Sequence, residues 1–175
     1  MDQADQAKKV RYENLVRQYS DDVFRYAYWL CRDRHMAEEL SQEAFLRAWR
    51  SIDSLKDDGA AKSWLFTIVR RENARQYERK RVDTVEDVDF NRVEGSREYD
   101  TSTEAFVLRR ALERLPLEYR EPLVLQVIGG YTSAEIAEQL NLNLSAVTSR
   151  LFRARKRLRA MLEGDATPQT GNSEQ

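Results

Sequence analysis

The chain has 175 residues, of which 34% are charged and 41% are apolar, and its formal net charge is −1. This length allows one domain or two small ones, and the composition is typical of a soluble protein with a modest hydrophobic core. The single cysteine excludes an internal disulfide, and no apolar run suggests a signal peptide or a membrane span, so we expect a cytoplasmic protein.

Residues 9–82 form a first block that is predicted to be all-helical, because it contains no proline and Gly59 is its only glycine. A loop is expected over 53–62, since Asp57-Asp58-Gly59 is a strong turn signal. The expected helices are Val10–Cys31, Met36–Ile52, and a third that begins near Ser63 and continues into a basic stretch over 70–81.

One face of the second helix has the composition of a protein-binding surface. It combines acids, an amide and one exposed leucine, with Trp49 at its edge. From spacing alone, a solvated helix face with one stray leucine is slightly favoured over a binding surface. The core-facing stripe of this helix is Ala37, Leu40, Ala44 and Ala48, and the separate face consists of Glu39, Gln42, Glu43, Leu46 and Arg50.

The segment 63–81 interleaves aromatic and cationic side chains, a pattern that suits single-stranded or locally melted DNA. Aromatic rings stack on bases, and cations bind the backbone. Alternatively, Trp64 and Phe66 belong to the hydrophobic core, and this alternative is strong for Trp64, whereas the arginines favour DNA contact. The aromatic residues are Trp64, Phe66 and Tyr77, and the cations are Arg70, Arg71, Arg75, Arg79, Lys80 and Arg81.

Two polar segments separate and follow the helical blocks. Residues 83–103 are rich in acids and have little helical or strand periodicity, which predicts a flexible linker. Its acidity either serves only to solvate the linker or mimics nucleic acid, shielding basic surfaces or occupying a basic channel. Residues 163–175 are polar and are predicted to form a disordered tail.

The second block, 104–162, is predicted to be a helical domain that ends in a helix-turn-helix. Pro116 suits the first turn of a helix. Pro122 lies a turn farther along and is expected to bend that helix or to delay its start. Gly129-Gly130 is expected to close it.

The helix-turn-helix itself has a signal at each boundary. Thr132 and Glu135 have the spacing of a capping box at the start of the first helix. Asn141 tolerates a left-handed backbone, which suits a short turn between two helices. The second helix is expected over 144–162.

Two faces separate on this second helix. Small residues near its N-terminus can approach base edges, and cations farther along can meet phosphates, as in a DNA recognition helix. No acid occurs between Ser145 and Leu162, so a merely solvated basic face is the weaker interpretation. The apolar stripe is Val147, Leu151, Ala154, Leu158 and Leu162, and the opposite face is Ala146, Ser149, Arg150, Arg153 and Arg157.

Neither a metal site nor a catalytic site is expected. Cys31 and His35 lie four residues apart near a helix end, but two ligands are too few, so we expect a buried cysteine and a surface histidine. The sequence has no Walker loop, no Ser-His-Asp set and no convincing carboxylate pair. We therefore expect no cofactor and no enzymatic activity.

Four segments in order resemble those of bacterial sigma-70 family sigma factors, specifically the small extracytoplasmic-function (ECF) group. The resemblance covers about residues 10–162, and the agreement of several motifs in one order makes it specific. It implies an all-α protein with two small helical domains joined by a linker. The segments are AEELSQEAFLRAW, SWLFTIVRRENARQYERKR, LERLPLEYREPLVLQ and YTSAEIAEQLNLNLSAVTSRLFRARKRLR.

The resemblance implies a role for each surface. The acidic face would bind the clamp helices of core RNA polymerase, the region around Trp64 would capture and open the −10 promoter element, and the helix-turn-helix would bind the −35 element. Binding of a flipped base would offset the cost of unpairing. The implied polymerase-binding residues are Glu39, Gln42, Glu43, Leu46, Trp49 and Arg50; the −10 residues are Lys62, Ser63, Trp64, Arg70, Arg71, Asn73, Arg75 and Arg79; the −35 residues are Ser145, Ala146, Thr148, Ser149, Arg150, Arg153 and Arg157.

Partners and departures also follow from the resemblance. The expected partners are core RNA polymerase, promoter DNA and an anti-sigma factor, which can be membrane-bound and sequester the cytoplasmic protein. The linker would pass through the polymerase towards the RNA exit path. Arg71 stands where the family often has Asn, and Thr148 stands where Lys is common, so the base preference at both elements stays open. Asn141 replaces a usual Gly.

Two other classes of protein share some of these features. A stand-alone helix-turn-helix regulator would bind duplex DNA as a dimer, but the sequence offers no dimerisation helix and this class leaves the acidic face of the second helix unexplained. An integrase or nuclease would need a metal-binding acid cluster or a nucleophile.

Overall fold

The computed structural model describes residues 2–83 and 102–165, and helices are the only regular secondary structure within these two ranges. The all-α prediction is confirmed for this part of the chain. The acidic linker and the polar tail lie outside the described residues, apart from their ends. The N-terminal helices are α1 (Gln3–Cys31), α2 (Arg34–Ser51) and α3 (Ala61–Asp83), and the C-terminal helices are α4 (Thr103–Arg114), α5 (Leu117–Val127), α6 (Ser133–Leu140) and α7 (Leu144–Asp165).

Local hydrogen bonds build the tight junction between α1 and α2. Arg32 adopts a left-handed conformation with φ 58°, and its N–H donates to the Tyr28 carbonyl at 2.6 Å, which ends α1. The Asp33 carboxylate then accepts from the Met36 N–H at 2.8 Å and caps α2. The two helices therefore reverse direction within two residues and pack against each other.

The N-terminal core lies between α1, α2 and α3. The ring of Tyr26 on α1 stacks on Phe66 of α3, with ring centroids 4.3 Å apart. Both residues are fully buried, so Phe66 belongs to the core and is not available for base stacking. The predicted stripe on α2 is confirmed, because its four members have no exposed surface: Ala37, Leu40, Ala44 and Ala48.

The segment between α2 and α3 is held against α1 rather than open. It contains two short 3-10 turns, Ile52–Ser54 and Asp58–Ala60. The Arg11 guanidinium of α1 donates to the Asp58 carboxylate and to the Leu55 carbonyl, both at 2.6 Å. The bond to Leu55 satisfies a backbone carbonyl that lies outside the helices, and the bond to Asp58 ties the second 3-10 turn to α1.

Pro122 lies inside α5 without delaying its start, which corrects one of the two expected effects. The helix begins at Leu117, directly after Pro116, which occupies the N-cap position rather than the first turn. Pro122 has no N–H, so the Glu118 carbonyl loses the helical hydrogen bond that it would otherwise accept. Glu118 is exposed in the first turn of α5, where water can replace that bond. The Pro122 ring itself is fully buried, and this burial offsets the lost hydrogen bond.

The two glycines after α5 are both required by geometry. A Cβ at Gly129 would lie 2.4 Å from the Leu125 carbonyl oxygen, so no larger residue fits there. Gly130 has φ 70°, in the left-handed region that glycine adopts without strain. The predicted end of this helix is confirmed.

The helix-turn-helix forms as its boundary signals predict. The Glu135 carboxylate accepts from the Thr132 N–H at 2.7 Å, and the Glu135 N–H donates to the Thr132 hydroxyl at 3.3 Å, which completes the capping box. Asn141 adopts the left-handed conformation with φ 53°. Asn143 caps α7 by accepting from the Ala146 N–H at 2.7 Å.

The N-terminal and C-terminal helices pack on each other, a contact that the sequence did not predict. One hydrophobic cluster extends from α1, α2 and α3 into α5, α6 and α7. Tyr131, in the loop before α6, places its ring edge against Phe66 of α3, with centroids 6.1 Å apart. Burial raises the pKa of Tyr131 to about 12.

Candidate nucleic-acid interface

The helix α7 presents the face that the sequence predicts for base and phosphate contact. Most of the predicted residues are exposed, whereas Ala146 and Arg150 are half-buried. On the other side, Val147, Leu151 and Ala154 are buried and anchor the helix to the domain. The exposed members of the predicted set are Ser145, Thr148, Ser149, Arg153 and Arg157.

Two cations of α7 have their positions set by the neighbouring helix α5. The Arg157 guanidinium lies 4.5 Å from the ring centroid of Tyr119, a cation–π contact. Arg155 donates a hydrogen bond to the Gln126 side chain. Arg153 is exposed one turn before Arg157 and is therefore accessible to a phosphate. The Thr148 hydroxyl donates to the Leu144 carbonyl of its own helix at 2.9 Å.

Phe152 is a candidate contact that the sequence interpretation missed. Two thirds of its surface, 67%, is exposed, on the same helix as the predicted base contacts. It follows Thr148 and Ser149 by one helical turn, so all three share a face. The available signal was an aromatic residue outside the apolar stripe, since an exposed phenylalanine on a recognition helix suits contact with a thymine methyl group.

Exposed cations extend along the second half of α3. Arg71, Arg75 and Arg79 are all exposed, as the DNA-binding prediction requires. Asn73 departs from that prediction, because only 9% of its surface is exposed. It follows Val69 by one turn on the face of α3 that packs into the core, which explains its burial.

A cleft of about 250 Å³ lies between α2 and α3 and is strongly basic. Buried Glu72 is at its base, with its carboxylate 2.5 Å from the Arg47 guanidinium and 2.8 Å from that of Arg75. One carboxylate therefore serves two arginines, and the net charge of the lining favours an anionic group such as a phosphate. The residues that line the cleft are Arg47, Arg50, Ser51, Ile68, Arg71, Glu72 and Arg75.

This cleft brings together residues that the sequence assigned to different partners. Arg50 was expected to bind polymerase, whereas Arg71 and Arg75 were expected to bind DNA. Arg47 and Glu72 were not singled out, and only the spacing of opposite charges between two helices could have indicated them. The structure places Arg50 beside Arg71 and Arg75, two of the residues that were predicted to bind DNA.

The predicted residues at the start of α3 face the C-terminal domain. Lys62 donates to the Ile128 carbonyl at 3.2 Å and lies 3.0 Å from the Asp22 carboxylate. The Ser63 hydroxyl donates to the Gln139 side chain at 2.6 Å. Trp64 is half-buried and packs against the hydrophobic core, in agreement with the core alternative for this residue.

Arg70 completes this set with a charged contact. Its guanidinium donates to the Glu121 carboxylate on α5 at 2.9 Å. Arg70 keeps 42% of its side chain exposed, whereas that of Glu121 is 10% exposed. Arg70 therefore lies at the rim of the contact, and Glu121 lies within it.

The acidic face of α2 remains open to solvent. Gln42 is exposed, Leu46 is 52% exposed and Trp49 is 38% exposed. Trp49 is nevertheless held in place, because its ring meets Tyr12 edge-on at 5.1 Å. The face thus combines a fixed aromatic ring with an exposed leucine, which is the composition of a protein-binding surface.

Two acids of this face lie beside basic side chains of α2. Glu39 lies 3.3 Å from His35, and Glu43 lies 3.1 Å from Arg47. The Glu39–His35 pair is exposed and contributes little to stability, whereas Glu43 and Arg47 are half-buried.

No group of three or more histidine, cysteine or acidic side chains that could hold a metal occurs in residues 2–83 and 102–165. Cys31 donates a hydrogen bond to the Asp33 carbonyl at 3.2 Å, and burial raises the pKa of its thiol. His35 is exposed, in agreement with the expected surface histidine. None of the helices in the described ranges is long and apolar enough to cross a membrane.

Two families match the chain in succession. The family described as Sigma-70 region 2 matches residues 15–82, and that described as Sigma-70, region 4 matches residues 105–158. These ranges coincide with the N-terminal and C-terminal sets of helices.

Curated relatives match along most of the chain. It is 35% identical over 166 residues to the ECF RNA polymerase sigma factor SigE of Mycolicibacterium smegmatis, an alignment that covers 90% of this chain and 64% of that protein. The chain therefore spans less than two thirds of that relative. It is also 33% identical to the ECF RNA polymerase sigma factor EcfG of Rhodopseudomonas palustris. That alignment covers 83% of this chain and 82% of the relative.

Solved structures share the fold across both domains. The sigma factor RpoE in complex with the anti-sigma factor NepR from Bartonella quintana matches 88% of this chain and 98% of its own, with a TM-score of 0.73 and 25% identity. CnrH in complex with the cytosolic domain of CnrY matches 89% of both chains, with a TM-score of 0.64 and 24% identity.

Proposed function

Because this chain belongs to the ECF group of RNA polymerase sigma factors, we propose that it binds core RNA polymerase and directs it to promoters that carry −35 and −10 elements. The observation that carries the proposal is the presence, on one chain, of a recognition helix without acids from Ser145 to Leu162 and of a second basic surface on α3. One protein thus has separate surfaces for duplex DNA and for melted DNA, together with a face for a protein partner.

The C-terminal domain, residues 104–162, binds the −35 element in duplex form. The small side chains of Ser145, Ala146 and Ser149 near the start of α7 approach base edges, and Arg153 meets a phosphate or a guanine. Exposed Phe152 extends this face with an apolar contact suited to thymine.

The N-terminal domain, residues 9–82, binds the −10 element and stabilises its melted form. The cations Arg71, Arg75 and Arg79 follow the backbone of the displaced strand, and the basic cleft between α2 and α3 accepts one of its phosphates. Binding of an unpaired base offsets the few kcal/mol that unstacking costs. Promoter opening is thereby driven by binding energy rather than by catalysis.

The exposed face of α2 binds the polymerase. Leu46 and Trp49 supply a desolvated centre, and Gln42 with the neighbouring acids supplies a polar rim. The acids also favour a basic partner surface through charge complementarity.

An anti-sigma factor regulates the protein in the cytoplasm. Support comes from the match, over both domains, to a Bartonella quintana sigma factor that is bound to its anti-sigma factor. A pull-down from the native host should recover polymerase together with a second specific protein. Recovery of polymerase alone would contradict this part of the proposal.

Run-off transcription tests the central proposal. Purified protein is added to bacterial core RNA polymerase with a library of upstream regions from the native host. We expect transcripts that depend on the protein and start downstream of a shared pair of motifs. Failure to associate with core polymerase at every ionic strength, with retained binding to duplex DNA, would favour a stand-alone helix-turn-helix regulator instead.

A further inference from the structure

Three polar contacts join the two domains at the predicted −10 surface. In each contact, a side chain or carbonyl of the C-terminal domain binds a residue of α3 that was assigned to DNA. The three assigned residues are Lys62, Ser63 and Arg70, which bind Ile128, Gln139 and Glu121 respectively.

The first contact centres on the Glu121 carboxylate. Its Oε1 atom accepts two hydrogen bonds of 2.9 Å, one from the Tyr26 hydroxyl and one from the Arg70 guanidinium. Tyr26 is fully buried, and burial together with the charge of Glu121 raises its pKa well above the usual value, so the hydroxyl remains a donor. Glu121 thus presents to Arg70 the same kind of anionic oxygen that a DNA phosphate would present.

The second contact centres on the Gln139 amide of α6. Its oxygen accepts from the Ser63 hydroxyl at 2.6 Å, and its nitrogen donates to the Ser63 carbonyl at 3.0 Å and to the Thr67 hydroxyl at 2.8 Å. An amide that both donates and accepts in this way resembles the edge of a nucleobase.

Arg120 joins the same two domains through the C-terminal end of α1. Its guanidinium donates to the Trp29 carbonyl at 2.6 Å and to the Leu30 carbonyl at 3.3 Å, at the C-terminal end of α1. Glu113 adds two bonds to α1, accepting from the Tyr28 hydroxyl at 2.9 Å and, through its carbonyl, from Arg32 at 2.6 Å. None of these bonds uses a side chain that was assigned to DNA, so they stabilise the domain contact without competing for DNA.

We propose that the α5–α6 surface of the C-terminal domain is an intramolecular ligand of the −10 surface, which keeps the free protein closed and lowers its affinity for single-stranded DNA. This inference rests on the proposed function of α3. The Nε–H of Arg70 and the hydroxyl of Ser63 cannot donate to Glu121 and Gln139 and to DNA at once, so domain packing and −10 binding compete for these two donors. Opening therefore precedes, or accompanies, promoter capture.

The experiment compares single substitutions in the full chain. Glu121→Gln and Gln139→Ala weaken the two contacts from the C-terminal side, so every predicted DNA-binding residue stays intact. Tyr26→Phe removes only the hydroxyl and keeps the buried ring. Glu118→Gln is the matched control, because Glu118 is exposed on the same helix as Glu121. Circular dichroism verifies that each variant is folded.

Two readouts are combined. Spin labels at Gln18→Cys and Glu138→Cys, two exposed positions in different domains, report the interdomain distance after the single native cysteine is changed by Cys31→Ser. Fluorescence anisotropy measures affinity for a fluorescein-labelled single-stranded DNA of random sequence. If the closed state leaves about one molecule in ten open, full opening raises the apparent affinity about tenfold.

We expect Glu121→Gln and Gln139→Ala to broaden the distance distribution and to bind the DNA several-fold more tightly, with Tyr26→Phe intermediate and Glu118→Gln unchanged. An unaltered distance, or an opened protein with unaltered affinity, would overturn the inference. Arg79→Ala in the Glu121→Gln background separates a failure of the proposed function of α3 from a failure of this inference. Arg79 suits this purpose because it is exposed on α3 outside the domain contact. If this second substitution leaves the affinity of an opened protein unchanged, the assignment of α3 to DNA is wrong, and the inference falls with it.

Discussion

At the scale of single residues, the sites are defined by which side chains remain exposed once their neighbours are buried. On α7, Val147 and Leu151 are buried, and this leaves Arg153 and Phe152 on the outer surface. On α3, Asn73 is buried whereas Arg75 and Arg79 are exposed. Helical spacing predicts such faces, but only burial establishes which members of a face are accessible.

Arg153→Ala should weaken binding to the −35 duplex by about 1–3 kcal/mol if the side chain contacts a base. If it contacts a phosphate, the loss of affinity should be similar for all DNA sequences. The slope of log affinity against log salt concentration should then decrease in magnitude by about 1. Fluorescence anisotropy at several salt concentrations measures both quantities. Arg17→Ala, which removes an exposed arginine from α1, is the control. Unchanged affinity and slope would mean that α7 is not the DNA-binding helix.

Phe152→Ala should weaken binding to the −35 duplex without altering its salt dependence, because an apolar contact releases no counterions. The thermal midpoint should not change, since the ring is already mostly exposed. The comparison with Arg153→Ala separates an apolar base contact from an electrostatic one. Equal affinities of the wild type and Phe152→Ala for every −35 sequence would exclude a role for this ring.

At the scale of secondary-structure elements, caps determine where helices start and therefore how functional faces are oriented. The capping box at Thr132 and Glu135 begins α6, and the Asn143 side chain begins α7. In the proposed function the angle between these two helices orients α7 on DNA, so the caps would contribute to binding without contacting the DNA.

Thr132→Ala should destabilise the C-terminal domain by about 1 kcal/mol, because it removes the side-chain half of the capping box. Urea unfolding followed by circular dichroism measures the change. Thr103→Ala is the matched control, because Thr103 is an exposed residue in the first turn of α4. Loss of stability in the control equal to that in Thr132→Ala would contradict a specific role for the cap.

The capping box also predicts a dependence on pH. Hydrogen bonds from the Thr132 backbone and hydroxyl lower the pKa of Glu135 from its usual value of 4.5. A carboxyl group whose pKa is lower in the folded protein than in the unfolded chain stabilises the fold. This contribution is fully present at pH values above the pKa of the unfolded chain, and it is lost as the pH falls through the pKa of the folded protein. The stability difference between the wild type and Glu135→Gln should therefore shrink below about pH 4.5. A difference that is constant down to lower pH would exclude this linkage.

The exposed face of α2 gives a prediction for the element as a whole. Gln42→Ala combined with Leu46→Ala should impair association with core RNA polymerase, because it removes the exposed centre of the face and its neighbouring amide. Duplex DNA binding through α7 should be retained. Gel filtration with core polymerase measures assembly, and Gln18→Ala on exposed α1 surface is the control. Undiminished holoenzyme assembly would exclude this face.

At the scale of the whole molecule, one hydrophobic cluster and a set of buried polar contacts join the two domains. Arg120 is only 3% exposed, and burial lowers its pKa to about 10, with the nearby Arg32 charge acting in the same direction. An arginine is retained there because backbone carbonyls of α1 and of Leu115 accept its hydrogen bonds.

Arg120→Ala should therefore destabilise the packed molecule, since each hydrogen bond to a charged group contributes about 1.5–3 kcal/mol and the carbonyls lose their donor. We expect the wild type to unfold in one transition and the variant to unfold in two, with the domains separating first. Differential scanning calorimetry distinguishes these outcomes. One transition with an unchanged midpoint in Arg120→Ala would show that the domains are held together by other contacts.

The sequence by itself determined the helices, their caps and the two faces of α7. The Thr132–Glu135 box, the left-handed Asn141 and the alanine stripe of α2 are all encoded within a few neighbouring residues, so periodicity and spacing suffice to predict them. The motifs that resemble sigma factors are local in the same sense.

Only the tertiary structure decided which predicted residues are covered and by what. The contacts of Glu121 with Arg70 and of Gln139 with Ser63 join residues separated by 51 and 76 positions in the chain. No local pattern specifies such pairs, because they depend on how two domains pack. For the same reason the burial of Asn73 and of Pro122 could not be predicted, since burial is a property of what surrounds a residue rather than of its neighbours in sequence.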